Sequence, residues 1–506
     1  MRAFVLILLA AFLNATTVAV AAEPINPLPP DVDPLTTDLP SALVSQLPDL
    51  SSTANGLLDK QQQYELGYSV MMQMRDQRAL FDDPETDEYI QQIGQRLASQ
   101  STYGGGHFHY IVLRSDEVNS FAVAGGWVFI FTGLITDTHT ESELAAVMAH
   151  ETAHNTQNHI VRGAENSEHA SLASMAAMLG AILLGALGGG GGDAMVGGMV
   201  AAQGLAQQNE IDYTRSDEME ADRVGLTYLA AAGFDPEAMP DFFAQTMQER
   251  SLQDSWVPEV LIDHPPDSER VAALRARAAL YPPVPDTSSP DYYLIRERVR
   301  VLTAPAGEDI QRIYAQKIAQ GDHSLGTLYG DAVALIEDNK ASEAIPILKK
   351  LIAQHGDLHD LYATLGQAQA KAGDMTQALA TFRLAMELFP RDMPVTIRYA
   401  QTLMADGRNA QAHDVLLDLF NNIEPTPDQI ELTARAASAA GDLGDAYYYM
   451  GEYQIADGNL PLAARQYQLA LATPHLTDVQ RQRISARLRE VRDYLASERQ
   501  QQHESE

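Results

Sequence analysis

LAAVMAHETAHNTQNHIV, residues 144–161, is the stretch that decides how this chain is read. His150 and His154 stand four residues apart, so on a helix both imidazoles lie on one face and can grip one ion. Glu151 between them points toward the same ion, placed to take a proton from water polarised there. Upstream, Thr140-Glu141-Ser142-Glu143 has the form of a capping box, with Thr140 accepting from first-turn amides and Glu143 reaching back. Leu144, Val147 and Met148 then make an apolar stripe at helical spacing, which predicts a helix packed into a core. Residue types and spacing together read as a zinc-dependent peptidase.

Two histidines leave the ion in need of a third protein ligand, with a fourth position open. The candidate lies in YTRSDEMEADRVGLTYLAAAG, residues 213–233. Glu218 and Asp222 share one face of a second predicted helix; one can bind metal while the other accepts a hydrogen bond from a ligand histidine. Glu220, between them, is expected to point elsewhere as a solvated helix charge.

With these residues in view, the chain resembles the gluzincin metallopeptidases that include the prenyl-protein CAAX proteases, the bacterial heat-shock protease HtpX and a mitochondrial inner-membrane stress protease. The likeness covers about Gly56 to Tyr281 and rests on further segments. Asn119-Ser120-Phe121-Ala122, running through Gly125 into Gly126-Trp127-Val128-Phe129 and on to Leu134, resembles the family's strand pair before the zinc helix. An edge of that pair can receive substrate as an added strand, and Gly126 to Phe129 are the expected edge. Asp263-His264-Pro265-Pro266 with Arg270 resembles the family's HP…R element, and His159 also fits the family's zinc helix. The resemblance implies that His150, His154 and Glu218 hold one Zn2+ per chain, that Glu151 is the base and that Asp222 orients a ligand histidine. It leaves His264 and Arg270 as donors to the oxyanion, with His264 alternatively a latch that holds the site idle.

The two ends add compartment and architecture. Arg2, the apolar run Ala3 to Leu13 and the small residues Ala19 to Ala22 make residues 1–22 a secretory signal peptide, cleaved after Ala21 or Ala22. The chain has no cysteine, so no disulfide bears on the compartment and export rests on this signal alone. At the other end Ala344, Ala378, Ala412 and Ala446 recur every 34 residues, as do Gly373, Gly407 and Gly441. That period belongs to tetratricopeptide repeats, helix pairs stacked into a solenoid. Tyr447, Met450 and Gly451 pair with Ala463, Tyr467 and Ala470 out of step, which predicts an extra half-repeat at 428–441 and a capping helix at 478–497.

The expected fold is therefore mainly α: a zincin-type metallopeptidase domain with a small β-sheet at 56–281, followed by an all-α repeat solenoid at 324–498. A proline-rich arm fills 23–55, a connecting helical region of unassigned ownership 282–323, and a tail 499–506. From Leu172 to Leu205 the only charge is Asp193, and Gly188 to Gly192 interrupt the apolar run. It reads either as a buried hairpin between the two predicted zinc-binding helices, or as a mobile cover over the cleft or a surface that touches membrane or unfolded client, and not as a continuous membrane helix.

Composition bounds the partners. Against 34 basic residues stand 68 acidic ones, a formal net charge of −34, which repels phosphate backbones and argues against nucleic acid. The few apolar runs leave at most peripheral membrane contact. An exported gluzincin with a repeat array resembles the family's periplasmic members. That implies a protein that assists outer-membrane proteins during assembly and degrades unfolded or stalled ones, its repeats docking to clients or to the barrel assembly machinery. The alternative is a chaperone or scaffold whose protease site stays latent.

Overall fold

A computed structural model describes residues 58–101, 107–165, 215–252, 267–285 and 288–505. The expected signal peptide at 1–22, the proline-rich arm, the glycine-rich stretch and His264 lie outside them. Among the described residues no helix is long and apolar enough to cross a membrane.

The N-terminal part is helical around a three-stranded sheet. Helix α1 (Lys60–Asp76) opens on a capping box between Asp59 and Gln62. Helix α2 (Pro84–Ala98) opens on Asp83, with proline in its first turn where the missing amide costs nothing. Strands β1 (His109–Leu113), β2 (Ser120–Val123) and β3 (Trp127–Phe131) lie in the order β1-β3-β2. β3 runs parallel to β1 and antiparallel to β2, with Ser120 opposite Ile130 and Val123 opposite Trp127. Every residue of β3 is buried, as a central strand requires.

Short α3 (Thr132–Asp137) leads into α4 (Glu141–Thr156), the helix of the two histidines. Thr140 caps it by accepting from the Glu143 amide, as expected. The Glu143 carboxylate reaches one residue further back than a capping box would, to the His139 amide at 2.6 Å. Rather than a stripe, α4 is buried on all sides from Leu144 to Thr156, because Ala145, Ala146, Ala149 and Ala153 let neighbours close in from several directions. After it, Asn158 takes a left-handed conformation (φ 53°), which asparagine tolerates, and the chain turns into α5 (His159–Glu165).

Helix α6 (Arg215–Ala231) lies along α4, with α7 (Ala238–Leu252) and α8 (Ser268–Ala278) packed beside it. Gly225 sets how close α6 comes: a Cβ there would lie 2.9 Å from the Ala149 carbonyl oxygen and 3.1 Å from His150 Cα. No side chain fits in that gap, so the two helices meet at backbone distance.

Helix α9 (Pro290–Leu302) settles the ownership of the connecting region by belonging to both sides. Tyr292, Ile295 and Val299 enter the N-terminal core, while Leu294 and Val301 join the first core of the repeats. Helix α10 (Ile310–Ala319) adds Tyr314 to that second core.

The repeats follow as α11 (Leu325–Glu337), α12 (Ala341–Gln354), α13 (His359–Lys371), α14 (Met375–Leu388), α15 (Met393–Ala405), α16 (Asn409–Phe420), α17 (Pro427–Ala440), α18 (Leu443–Ala456), α19 (Leu460–Ala472) and the long α20 (Asp478–Ser505). Ala344, Ala378 and Ala412 are fully buried where paired helices touch. Gly366 lies against the ring of Phe382 and Gly451 against the ring of Tyr467, the same small-against-aromatic contact in both places. That likeness makes α18 and α19 one repeat and leaves α17 as the extra half.

The array folds back onto the N-terminal part. Arg398 on α15 and Arg298 on α9 converge on Asp83 and Glu85 at the start of α2, with contacts of 2.6 to 3.2 Å. Gln367 on α13 adds a bond to Glu85, and Arg75 on α1 meets Asp428 and Tyr453 further along the array.

Candidate metal centre

One turn of α4 and one turn of α6 face each other across the gap that Gly225 leaves. His150 Nε2 and His154 Nε2 lie 3.0 Å apart. Glu218 puts one oxygen 3.5 Å from His150 Nε2 and the other 3.4 Å from His154 Nε2. Ligands bound at about 2.0–2.2 Å to one ion sit about 3.0–3.5 Å from each other, which is the size of this triangle. Among the described residues these three side chains form a buried group able to hold one ion.

The ring nitrogens turned away from the triangle are also placed. His150 Nδ1 is 3.2 Å from Asp222 Oδ1, so the expected orienting acid stands behind this histidine. His154 Nδ1 lies 3.0 Å from His159 Nδ1, and His159 Nε2 lies 3.2 Å from Glu220. Each histidine therefore backs onto a carboxylate, His150 directly and His154 through a second imidazole. With Nε2 of His154 aimed at the centre, its Nδ1 carries the proton and donates to His159, which donates in turn to Glu220. Glu220 is thus no solvated charge: Arg162 holds it at 2.8 Å, and bonds from His159 keep its carboxyl low, at about 2.

Arg270 is buried and spends Nε and Nη2 on Asp222 at 2.9 and 2.8 Å, with Nη2 also 3.0 Å from Glu218. Expected as a donor to the oxyanion, it contacts Asp222 behind the centre and Glu218 in the centre, and holds both acids in place. The site favours positive charge. Burial disfavours a charged His150, yet bonds and attraction from Asp222 and Glu218 outweigh it and push this group up to about 10. A dication suits such a place.

Glu151 is wholly buried and accepts a hydrogen bond from Ser120 Oγ at 3.1 Å. Ser120 opens β2, and no short-range pattern singles it out; only the pairing of strand and helix brings it to the glutamate. Asn155 is a second residue that the motif alone does not mark. Its amide donates to the Trp127 carbonyl at 2.8 Å and accepts from the Gly126 amide at 3.0 Å, tying the sheet to α4.

The strand expectation changes here. Gly126, Trp127, Val128 and Phe129 lead into or lie on β3, which is paired on both sides and has no edge to offer. Among the described residues the edge on the Glu151 side is β2, Ser120–Val123.

Comparison with known proteins agrees with this geometry. A model of peptidase family M48 matches residues 84–278. The beta-barrel assembly-enhancing protease of Yersinia pestis is 31% identical over 452 residues, which span 88% of this chain and 91% of that protein. The chain belongs to peptidase family M48. The protein of the same name from Escherichia coli K12 is 30% identical over 452 residues with the same coverage. The mitochondrial metalloendopeptidase OMA1 of Schizosaccharomyces pombe matches over a shorter stretch, 30% identical across 183 residues, 36% of this chain and 49% of that one. As an M48 enzyme the chain is a metal-dependent protease, and the matched residues run from the start of α2 to the end of α8.

Proposed function

We propose that the protein is a periplasmic zinc endopeptidase of outer-membrane protein assembly, degrading clients that stall and using its repeats to hold clients or the assembly machinery. The observation that carries the reading is the triangle of His150, His154 and Glu218, set 3.0 to 3.5 Å apart and backed on both histidines by carboxylates. The named relatives, matched over both the peptidase and the repeat portions, support the cellular setting.

The three residues would hold Zn2+, which when bound supplies Lewis-acid polarisation of water and of the scissile carbonyl. Glu151 accepts the proton from the attacking water and passes it to the leaving amine. Ser120 fixes the rotation of that carboxylate. Asp222 and the His159–Glu220 pair hold the two imidazoles in the tautomer that presents Nε2. A client segment laid antiparallel along β2 would be oriented by main-chain bonds, so recognition would need extended backbone more than a particular residue.

A second reading, a repeat-based chaperone with a latent protease, draws support from burial. Glu151 is 0% exposed, His154 1%, and His150 and Glu218 2% each, so the residues of the site lie out of contact with bulk water. His264, outside the described residues, keeps its proposed role as the latch. The test is cleavage of an urea-unfolded β-barrel protein by wild type and Glu151→Gln, with zinc measured in both. Equal zinc and cleavage by wild type alone supports the peptidase. Equal zinc with cleavage by neither, together with suppressed client aggregation, supports the latent chaperone.

A further inference from the structure

A second cluster lies where the array meets the N-terminal part, apart from the centre just described. His359 and Asp360 begin α13, Asp392 caps α15, Glu88 projects from α2 and Asp291 from the first turn of α9. His359 Nδ1 lies 3.1 Å from Asp392 Oδ2 and 3.4 Å from Asp360 Oδ1. These are again the separations of neighbouring ligands on one ion. Two overlapping triads, Glu88–His359–Asp392 and Asp291–His359–Asp360, each have a possible ligand atom from every member within 4.8 Å of the others.

Proximity of acids alone would mean little. What singles out this cluster is that its inward atoms are unsatisfied. Asp360 is 98% buried by its 2% exposure, and its Oδ1 has no hydrogen-bond partner. Glu88 Oε2, Asp291 Oδ1 and His359 Nδ1 are likewise buried and unbonded, although carboxylate oxygens stand close to that imidazole nitrogen. They stand off the line of an N–H bond, so neither tautomer of His359 satisfies the group. Among the described residues no lysine or arginine pairs with any of the four acids; Arg298 and Arg398 nearby are taken by Asp83 and Glu85. Leaving such atoms buried and unpaired costs about 1–3 kcal/mol apiece, more for charged ones. One cation held by Asp291, His359 and Asp360 removes that cost for the triad.

We propose that this cluster binds a second divalent metal ion, held by Asp291, His359 and Asp360, with water completing the shell. One imidazole among carboxylates suits a first-row transition dication such as Zn2+ or Mn2+ better than the all-oxygen shells of Ca2+ or Mg2+. Its ligands come from α9 and α13, so the ion would fasten the repeats to the helix that they share with the peptidase core. Burial, then repulsion from Asp392, pushes Glu88 up to about 7, and burial lifts Asp360 well above the usual carboxylate range. Both shifts follow from burial and from acid beside acid, which His359 only partly offsets.

The test is zinc stoichiometry of the mature chain, purified without a histidine tag, stripped by chelator and titrated with Zn2+ against a competing dye. Wild type should take two equivalents, Asp360→Asn one, His154→Ala one, and the double variant none. His359→Asn repeats the Asp360→Asn result with a different side chain and guards against misfolding in one variant. Wild type taking a single equivalent that His154→Ala abolishes would overturn the proposal. So would Asp360→Asn and His359→Asn both retaining two. His154→Ala separates this site from the catalytic centre, so failure of either is seen alone.

Discussion

At the scale of single residues, the candidate centre is built as much by what stands behind the ligands as by the ligands. Glu220 reaches His154 only through His159, yet it sets which nitrogen His154 presents. Glu220→Gln should weaken zinc binding about 10-fold, the low end for loss of such a supporting group. Equal zinc affinity in the variant would mean that His159 and Glu220 merely pack. Ser120→Ala should keep the metal and lower kcat about 10-fold, the worth of one hydrogen bond to a charged group. His150, Glu151 and His154 were legible in the sequence because the i, i+4 step of a helix is fixed by covalent geometry. Ser120 and the role of Glu220 were not, since both depend on which helix and strand come to lie beside α4. Arg270 was found by its motif, but its contacts with Asp222 and Glu218 were not legible, because sequence does not tell which acids a guanidinium meets.

At the scale of elements, the contact of α6 with α4 decides whether Glu218 can reach the histidines. Gly225 lies on the face of α6 that carries Glu218 and Asp222, and its missing side chain is what lets the helices meet. Gly225→Ala should push them apart, lowering stability by about 1–3 kcal/mol as overpacking does. It should also cut zinc affinity, read by competition with a chelating dye. The repeat period was legible because alanine and glycine at fixed steps are demanded by close helix pairs, and the displaced last repeat could be read from Gly451 and Tyr467. The edge strand was not. Order within a sheet is a non-local choice, and β3 turned out to be the central strand. Helix α9 hid its double role for a related reason: it has two apolar faces, and only the packed structure shows that each belongs to a different core.

At the scale of the molecule, the array and the peptidase are joined through buried charge. Arg398 and Arg298 share Asp83 and Glu85, and the attraction of both arginines overcomes burial to hold Asp83 well below the usual carboxylate range. Removing one partner of a buried pair costs about 3–5 kcal/mol, so Arg398→Ala should loosen the array and expose the connection to limited proteolysis. Unchanged cleavage would show that the repeats dock by their apolar contacts. The His359 cluster adds a pH signature. Glu88, raised by burial to about 7 from 4.5, contributes stability that is fully present below pH 4.5 and lost as pH rises through about 7. The chelated protein should therefore melt lower at pH 8 than at pH 5.5, and Glu88→Gln should flatten that difference. A slope that Glu88→Gln leaves intact would assign the effect elsewhere.

The most direct test of the central claim is anomalous diffraction at the zinc edge from crystals of the zinc-loaded protein. The account predicts a peak about 2.0–2.2 Å from His150 Nε2, His154 Nε2 and a Glu218 oxygen. Zinc bound in stoichiometric amount with no peak inside that triangle would contradict it.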